Sequence, residues 1–177
     1  MILEKMILVV AGVSGSGKTT VGKALAERLG FVFADADDFH SASNVEKMAG
    51  GIPLTDTDRG PWLSALRELL AGWSAGRTGA VLACSALKRS YRETLADGLP
   101  DVRFAILDVP ADVLRERLKK RAGHFMPASL LDSQLAALEL PDEDRATRLV
   151  DASGSVEETV EKIVFLTSPF NLLDGDA

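Results

Sequence analysis

The eight residues Gly12-Val13-Ser14-Gly15-Ser16-Gly17-Lys18-Thr19 limit the possible folds of this chain more than any other stretch. They match G-x-x-x-x-G-K-[ST]. An apolar run, Met6-Ile7-Leu8-Val9-Val10-Ala11, leads into them, and a helical pattern from Lys18 to Leu29 follows. In that strand–loop–helix setting the spacing describes a phosphate-binding loop. Glycines let the backbone curl until successive N–H groups point inward, and the following helix adds its positive end. Gly12, Ser14, Gly15, Ser16, Gly17, Lys18, Thr19 and Thr20 are therefore the candidate nucleotide contacts. Lys18 is expected to reach the outer phosphates, and the Thr19 hydroxyl to ligate Mg²⁺.

Five apolar runs of strand length recur, over residues 7–11, 31–34, 80–84, 102–107 and 147–150, and helical patterns separate them. Short buried strands alternating with helices predict an α/β fold: a five-stranded parallel sheet with helices on both faces. A length of 177 residues suits one domain. The net charge of −6 argues against a nucleic-acid-binding surface. No apolar run reaches membrane-spanning length, and the first strand shows no cleavage site that would make it a signal peptide. One cysteine, Cys84, leaves no internal disulfide and is compatible with a reducing cytosol, so a cytoplasmic protein is expected.

In a parallel sheet ligands bind beyond the carboxyl ends of the strands, so the segments that follow each strand carry the functional information. After the second run comes Asp35-Ala36-Asp37-Asp38-Phe39-His40. Three carboxylates so close repel one another unless a cation sits among them. Asp35 is placed to support Mg²⁺, and Asp37 to accept the proton of an attacking hydroxyl. An Asp-rich turn capping a helix would read the same way; the phosphate loop opposite favours the catalytic reading. Residues 40–61 are polar and rich in turn signals. Within them Asp56 or Asp58 is the expected N-cap of a helix starting near Pro61, and Arg59 is either a fork for a substrate carboxylate or a surface ion pair.

The third run ends in Cys84-Ser85-Ala86-Leu87-Lys88-Arg89-Ser90-Tyr91-Arg92. Cations at a helix N-terminus oppose its dipole, so this loop is locally unfavourable in a way that hints at anion binding. After the fourth run, Arg117 and Arg121 share a helix face and lead through Gly123 towards a short helical segment over 129–140. That order suits a lid, over about 122–140, carrying Arg charge to a transferring phosphoryl group. The turn at Asp151-Ala152-Ser153-Gly154-Ser155 is placed to border a nucleotide base. Both histidines, His40 and His124, fall in strand-end segments.

These blocks together resemble the small phosphate-loop gluconokinases, relatives of shikimate and nucleoside monophosphate kinases. The resemblance rests on D-A-D-D-F-H at 35–40, N-V-E-K-M at 44–48, G-I-P-L-T-D-T-D-R-G-P-W at 51–62, C-S-A-L-K-R-S-Y-R at 84–92 and R-L-K-K-R-A-G-H-F at 117–125, besides the loop at 12–19. It implies ATP-dependent, Mg²⁺-assisted phosphorylation of the 6-hydroxyl of D-gluconate by one kinase domain over 1–177, with a substrate-binding segment over about 38–61. Carried over by position, Lys18 and Thr19 serve ATP and Mg²⁺, Asp35 helps hold the metal, and Asp37 meets the sugar-acid hydroxyl. His40, Arg59, Lys88 and His124 surround the polyol and its carboxylate, Arg117 lies on the adenine side, and Arg121 is the lid charge. Family members are commonly homodimers, which makes a homodimer the expected assembly. Ala36 stands where some relatives have Gly. A shikimate or nucleotide kinase is the alternative within the same class. A nucleotide switch is the alternative outside it, and the absence of an N-K-x-D base-recognition motif speaks against it.

Overall fold

The computed structural model describes residues 6–120, 130–141 and 146–168. The five apolar runs form one parallel sheet of β1 (Ile7–Ala11), β2 (Val32–Asp35), β3 (Ala80–Ala83), β4 (Val102–Asp108) and β5 (Thr147–Asp151), ordered β2-β3-β1-β4-β5. Every residue of the central β1 is fully buried, which is why it reads as an uninterrupted apolar run. Side chains alternate between two cores. Leu8 and Val10 pack with Val21 and Leu25 of α1 (Lys18–Leu29) and with Val160 and Ile163 of α7 (Val156–Thr167). Ile7 and Val9 pack on the other face with Trp62, Leu66 and Leu70 of α3 (Asp56–Ala75) and with Leu95 of α4 (Arg89–Ala96). Three further helices complete the described chain: α2 (Ala42–Ala49), α5 (Ala111–Lys120) and α6 (Leu130–Ala137).

Parallel strands all point their carboxyl ends one way, so the loops after β1, β2 and β3 meet on one edge. One backbone bond fastens two of them: Gly12 N–H donates to the Ser85 carbonyl at 3.2 Å.

Two elements differ from the expectation. The long helix α3 starts at Asp56, more than a turn before Pro61, and its N-cap is Thr55 instead of either aspartate. Thr55 Oγ1 accepts the Asp58 N–H at 3.1 Å while Asp58 Oδ2 accepts the Thr55 N–H at 2.9 Å. This reciprocal capping satisfies two orphan donors, and Pro61 forfeits only one early intrahelical bond. The polar stretch after His40 also contains the eight-residue α2. Met48 buries against Leu54 and Leu130, and polar ties hold the rest. Ser41 caps it, the buried Asn44 amide donates to the Asp58 carbonyl at 2.9 Å, and Lys47 pairs with Asp58 at 2.7 Å.

Candidate active site

The loop between β1 and α1 is built for close approach of an anion. Gly12, Gly15 and Gly17 all take positive φ, at 141°, 83° and 96°. At Gly12 a Cβ would stand 2.8 Å from Ser16 Oγ and 3.2 Å from the Leu107 carbonyl, so no larger residue fits there. The Ser16 hydroxyl is buried and has no hydrogen-bond partner among the described residues. A buried polar group left so is costly, and a phosphoryl oxygen in the loop is the kind of partner that would satisfy it. Lys18 Nζ donates to the Val13 carbonyl at 3.0 Å, which holds the ammonium over the loop.

Thr19 and Asp35 meet. Thr19 Oγ1 donates to Asp35 Oδ2 at 2.6 Å, and Asp35 Oδ1 accepts the Asp37 N–H at 3.0 Å. Asp35 thereby caps the 3₁₀ turn Ala36–Phe39 and fixes the backbone that carries Asp37. A hydroxyl and a carboxylate are hard oxygen donors of the type Mg²⁺ takes. No cluster of three or more His, Cys, Asp or Glu side chains suited to a metal exists among the described residues.

Lys18, Thr19, Asp37, His40 and Arg59 line one cleft together with Ser14, Gly15 and Gln134. His40 is half-buried against Trp62, the rings stacked at 4.4 Å and 9°. Trp62 is held in turn by its indole N–H, which donates to the Ala36 carbonyl at 2.8 Å. Burial, with the Arg59 charge second, pushes the His40 imidazole down to about 4. At neutral pH it is an uncharged ring, and its buried Nδ1 has no hydrogen-bond partner among the described residues. A neutral ring suits a hydroxyl better than a carboxylate; the cations lining this cleft are Lys18 and Arg59.

Lys88 lies one step away. It lines an adjoining cleft with Asp56 and Tyr91, which shares Arg59, Leu87 and Gln134 with the first. Its ammonium bonds Asp56 Oδ1 at 2.8 Å and sits 5.4 Å from the centre of the Tyr91 ring, and the Tyr91 hydroxyl also donates to Asp56. Lys88 first, then Tyr91, holds the Asp56 carboxyl below its usual range. The unfavourable basic start of α4 is thus balanced by acids from elsewhere in the chain. Asp56 faces Lys88, and Glu139 Oε2 accepts the Arg89 N–H at 2.6 Å in place of a local cap.

Within the same loop Ala86 has a φ of 39°, an uncommon conformation for a residue with a Cβ. Arg92, 5% exposed, secures it by donating to the Ala86 and Leu87 carbonyls at 2.9 and 3.0 Å and to the Glu139 carbonyl at 2.8 Å. Cys84 is buried, and burial pushes its thiol up to about 12, which leaves it an inert core residue. Arg117 donates to the Gly15 and Ala152 carbonyls, both at 3.4 Å, beside a cleft bordered by Thr20, Gly154 and Ser155. The turn after β5 and Arg117 therefore flank the back of the phosphate loop.

The structure brings together Lys18, Thr19, Asp35, Asp37, His40 and Arg59, puts Lys88 next door and Arg117 behind the loop. Arg121, His124 and the lid segment 122–129 lie outside the described residues, and α6 is the described remainder of that segment. Sequence reasoning did not identify Gln134, Asp56, Trp62 and Arg92 as site-building residues. Asp56, Trp62 and Arg92 fall within the motif blocks at 51–62 and 84–92, whereas Gln134 leaves only a faint trace, as a long polar side chain in the second turn of a short helix.

The chain has clear relatives among known proteins. Residues 7–141 match the family described as an AAA domain. The gluconokinase of Gluconobacter oxydans is 49% identical over 163 residues, covering 92% of this chain and 91% of that protein. The crystal structure of a gluconokinase from Sinorhizobium meliloti superposes with a TM-score of 0.82 at 45% identity, covering 92% of this chain and 91% of that one. A shikimate kinase from Bacteroides thetaiotaomicron shares the fold alone, with a TM-score of 0.63 and 22% identity over 91% of this chain and 97% of that one. With relatives this similar over nine-tenths of its length, the chain belongs to the gluconokinase family of phosphate-loop kinases.

Proposed function

We propose that this protein transfers the γ-phosphoryl group of ATP to the 6-hydroxyl of D-gluconate, and that the residues gathered at the ends of β1, β2 and β3 carry the reaction. The observation that carries the reading is the single cleft in which Lys18 and Thr19 of the phosphate loop face Asp37, His40 and Arg59. A triphosphate needs the first pair; a small anionic polyol needs a cation, a hydrogen-bonding ring and a proton acceptor, and finds them opposite.

In this reading the loop amides and Lys18 hold the phosphates and Arg117 lies on the adenine side. Thr19 and Asp35 would hold Mg²⁺, which would supply charge neutralisation on the phosphoryl oxygens. Asp37 accepts the proton of the 6-hydroxyl as its oxygen bonds to phosphorus and the bond to the departing ADP oxygen breaks. Neutral His40 bonds a polyol hydroxyl, and Arg59 takes the carboxylate, assisted by Lys88. Purified protein with ATP and Mg²⁺ should release ADP with gluconate and show little or no release with shikimate or nucleoside monophosphates. Turnover with shikimate and none with gluconate would overturn the substrate assignment.

Lys88 gives a graded test. Its pair with Asp56 is exposed, with 33% and 69% of the two side chains accessible, and such pairs contribute little. Exchanging Asp56 for a substrate carboxylate is therefore nearly neutral, and the net gain is small. Lys88→Ala should raise the KM for gluconate about fivefold and leave the KM for ATP unchanged. Steady-state kinetics with each substrate varied in turn separates the two; an effect confined to ATP would show that this loop serves the nucleotide instead.

A further inference from the structure

The helix α6 touches the site in a way that the kinase reading does not require. Gln134 reaches from its second turn to the phosphate loop, and its Oε1 accepts the Ser14 N–H at 2.6 Å, a contact between residues 120 positions apart. Around it α6 is well anchored. Leu130 and Leu131 are buried, and Asp132 pairs with Arg115 of α5 at 2.9 Å. Just beyond its end, Glu139 joins the loop after β3 by its N–H to the Leu87 carbonyl, its carboxylate to the Arg89 N–H and its carbonyl to Arg92. Gln134 lines both the phosphate-loop cleft and the Lys88 cleft.

Ser14 has one amide proton, and Ser14 and Gln134 both line the cleft that holds Lys18. That proton cannot bond both the Gln134 carboxamide oxygen and a phosphoryl oxygen at full strength. The two acceptors also repel, because the carboxamide oxygen is the negative end of its dipole and the phosphate is an anion. We propose that Gln134 is a latch on the phosphate loop: its carboxamide reserves the Ser14 amide, and a bound triphosphate must displace it, so that nucleotide binding is coupled to the position of α6. Through Glu139 the same helix holds the loop of Lys88 and Arg92, so the displacement is felt where the acid substrate binds. Gln134 is thus a positioning residue, acting through α6 and Ser14. The inference rests on the nucleotide reading of the loop.

The test is titration of purified wild type, Q134A, Q134N and Q134E with a non-hydrolysable ATP analogue and Mg²⁺, alongside hydrogen exchange at the Ser14 amide without nucleotide. A neutral hydrogen bond is worth a modest net amount, so releasing it should tighten analogue binding two- to tenfold in Q134A. Q134N, one methylene too short to reach, should behave alike and serves if Q134A folds poorly. Q134E keeps the acceptor and adds a negative charge beside the phosphates, and should weaken binding about tenfold. Ser14 exchange should accelerate in Q134A and Q134N, with melting temperatures near that of the wild type, which a merely structural role would not produce. Equal or weaker analogue binding in both Q134A and Q134N, or unchanged Ser14 exchange, would overturn the latch while leaving the kinase intact. Failure of the wild type to bind the analogue at all would overturn the nucleotide reading and the latch with it.

Discussion

Replacing Lys18 with alanine should lower kcat by about 10²-fold or more, equivalent to about 2.7 kcal/mol of transition-state stabilisation. The expectation follows from where the ammonium is and what surrounds it. Lys18 is the first residue of α1, so its backbone is fixed by the helix, while its side chain arches over the loop to the Val13 carbonyl. A neutral carbonyl is a weak partner that a phosphoryl oxygen readily replaces. As the bond to the departing ADP oxygen breaks, charge moves onto oxygens within reach of Nζ, and a charge already in position needs no solvent reorganisation to meet it. Alanine should leave the loop intact, because its shape depends on the positive φ angles of Gly12, Gly15 and Gly17 and not on this side chain. Saturating both substrates isolates kcat, and thermal melting controls for folding. A loss smaller than about fivefold, well under 1.4 kcal/mol, would mean that Lys18 binds ground state and transition state alike.

How far such a site is legible in sequence depends on whether its cause is local. Leu8 and Val10 reveal a strand because a parallel sheet covered on both faces demands apolar residues at every position. Lys18 and Asp35 reveal a site because strand, loop and spacing are all contiguous. α2 stays hidden because Asn44 and Lys47 are polar residues whose partner, Asp58, comes from another helix. The start of α3 is misplaced for a related reason: Pro61 is a strong local signal for a first turn, yet the Thr55–Asp58 capping box fixes the start earlier. Lys88 and Arg89 look electrostatically unsatisfied in sequence, and that tension is real only locally; Asp56 and Glu139 relieve it from 32 and 50 positions away. Nor does anything near His40 announce Trp62, the ring on which the imidazole stacks. Contacts closed by the fold need the fold to be seen.

Asp37→Asn should lower kcat with gluconate by about 10²-fold, within the range that a positioned proton acceptor contributes, and change ATP affinity by less than about twofold. Asparagine keeps the size and shape of the side chain and removes only its charge. The backbone is held by a bond that the substitution does not touch, since Asp35 Oδ1 accepts the main-chain N–H of residue 37. Asp37 belongs to the 3₁₀ turn after β2 and not to the phosphate loop, so nucleotide binding has little reason to respond. The competing possibility is physical: phosphoryl transfer passes through a loose transition state in which the attacking hydroxyl bonds weakly and needs little help with its proton. In that case Asp37 would serve as an acceptor that aims the 6-hydroxyl, and the variant would raise the KM for gluconate with kcat nearly intact. Measuring kcat and both KM values in one experiment separates these roles, because proton acceptance acts on the transition state alone whereas aiming acts on the bound substrate as well.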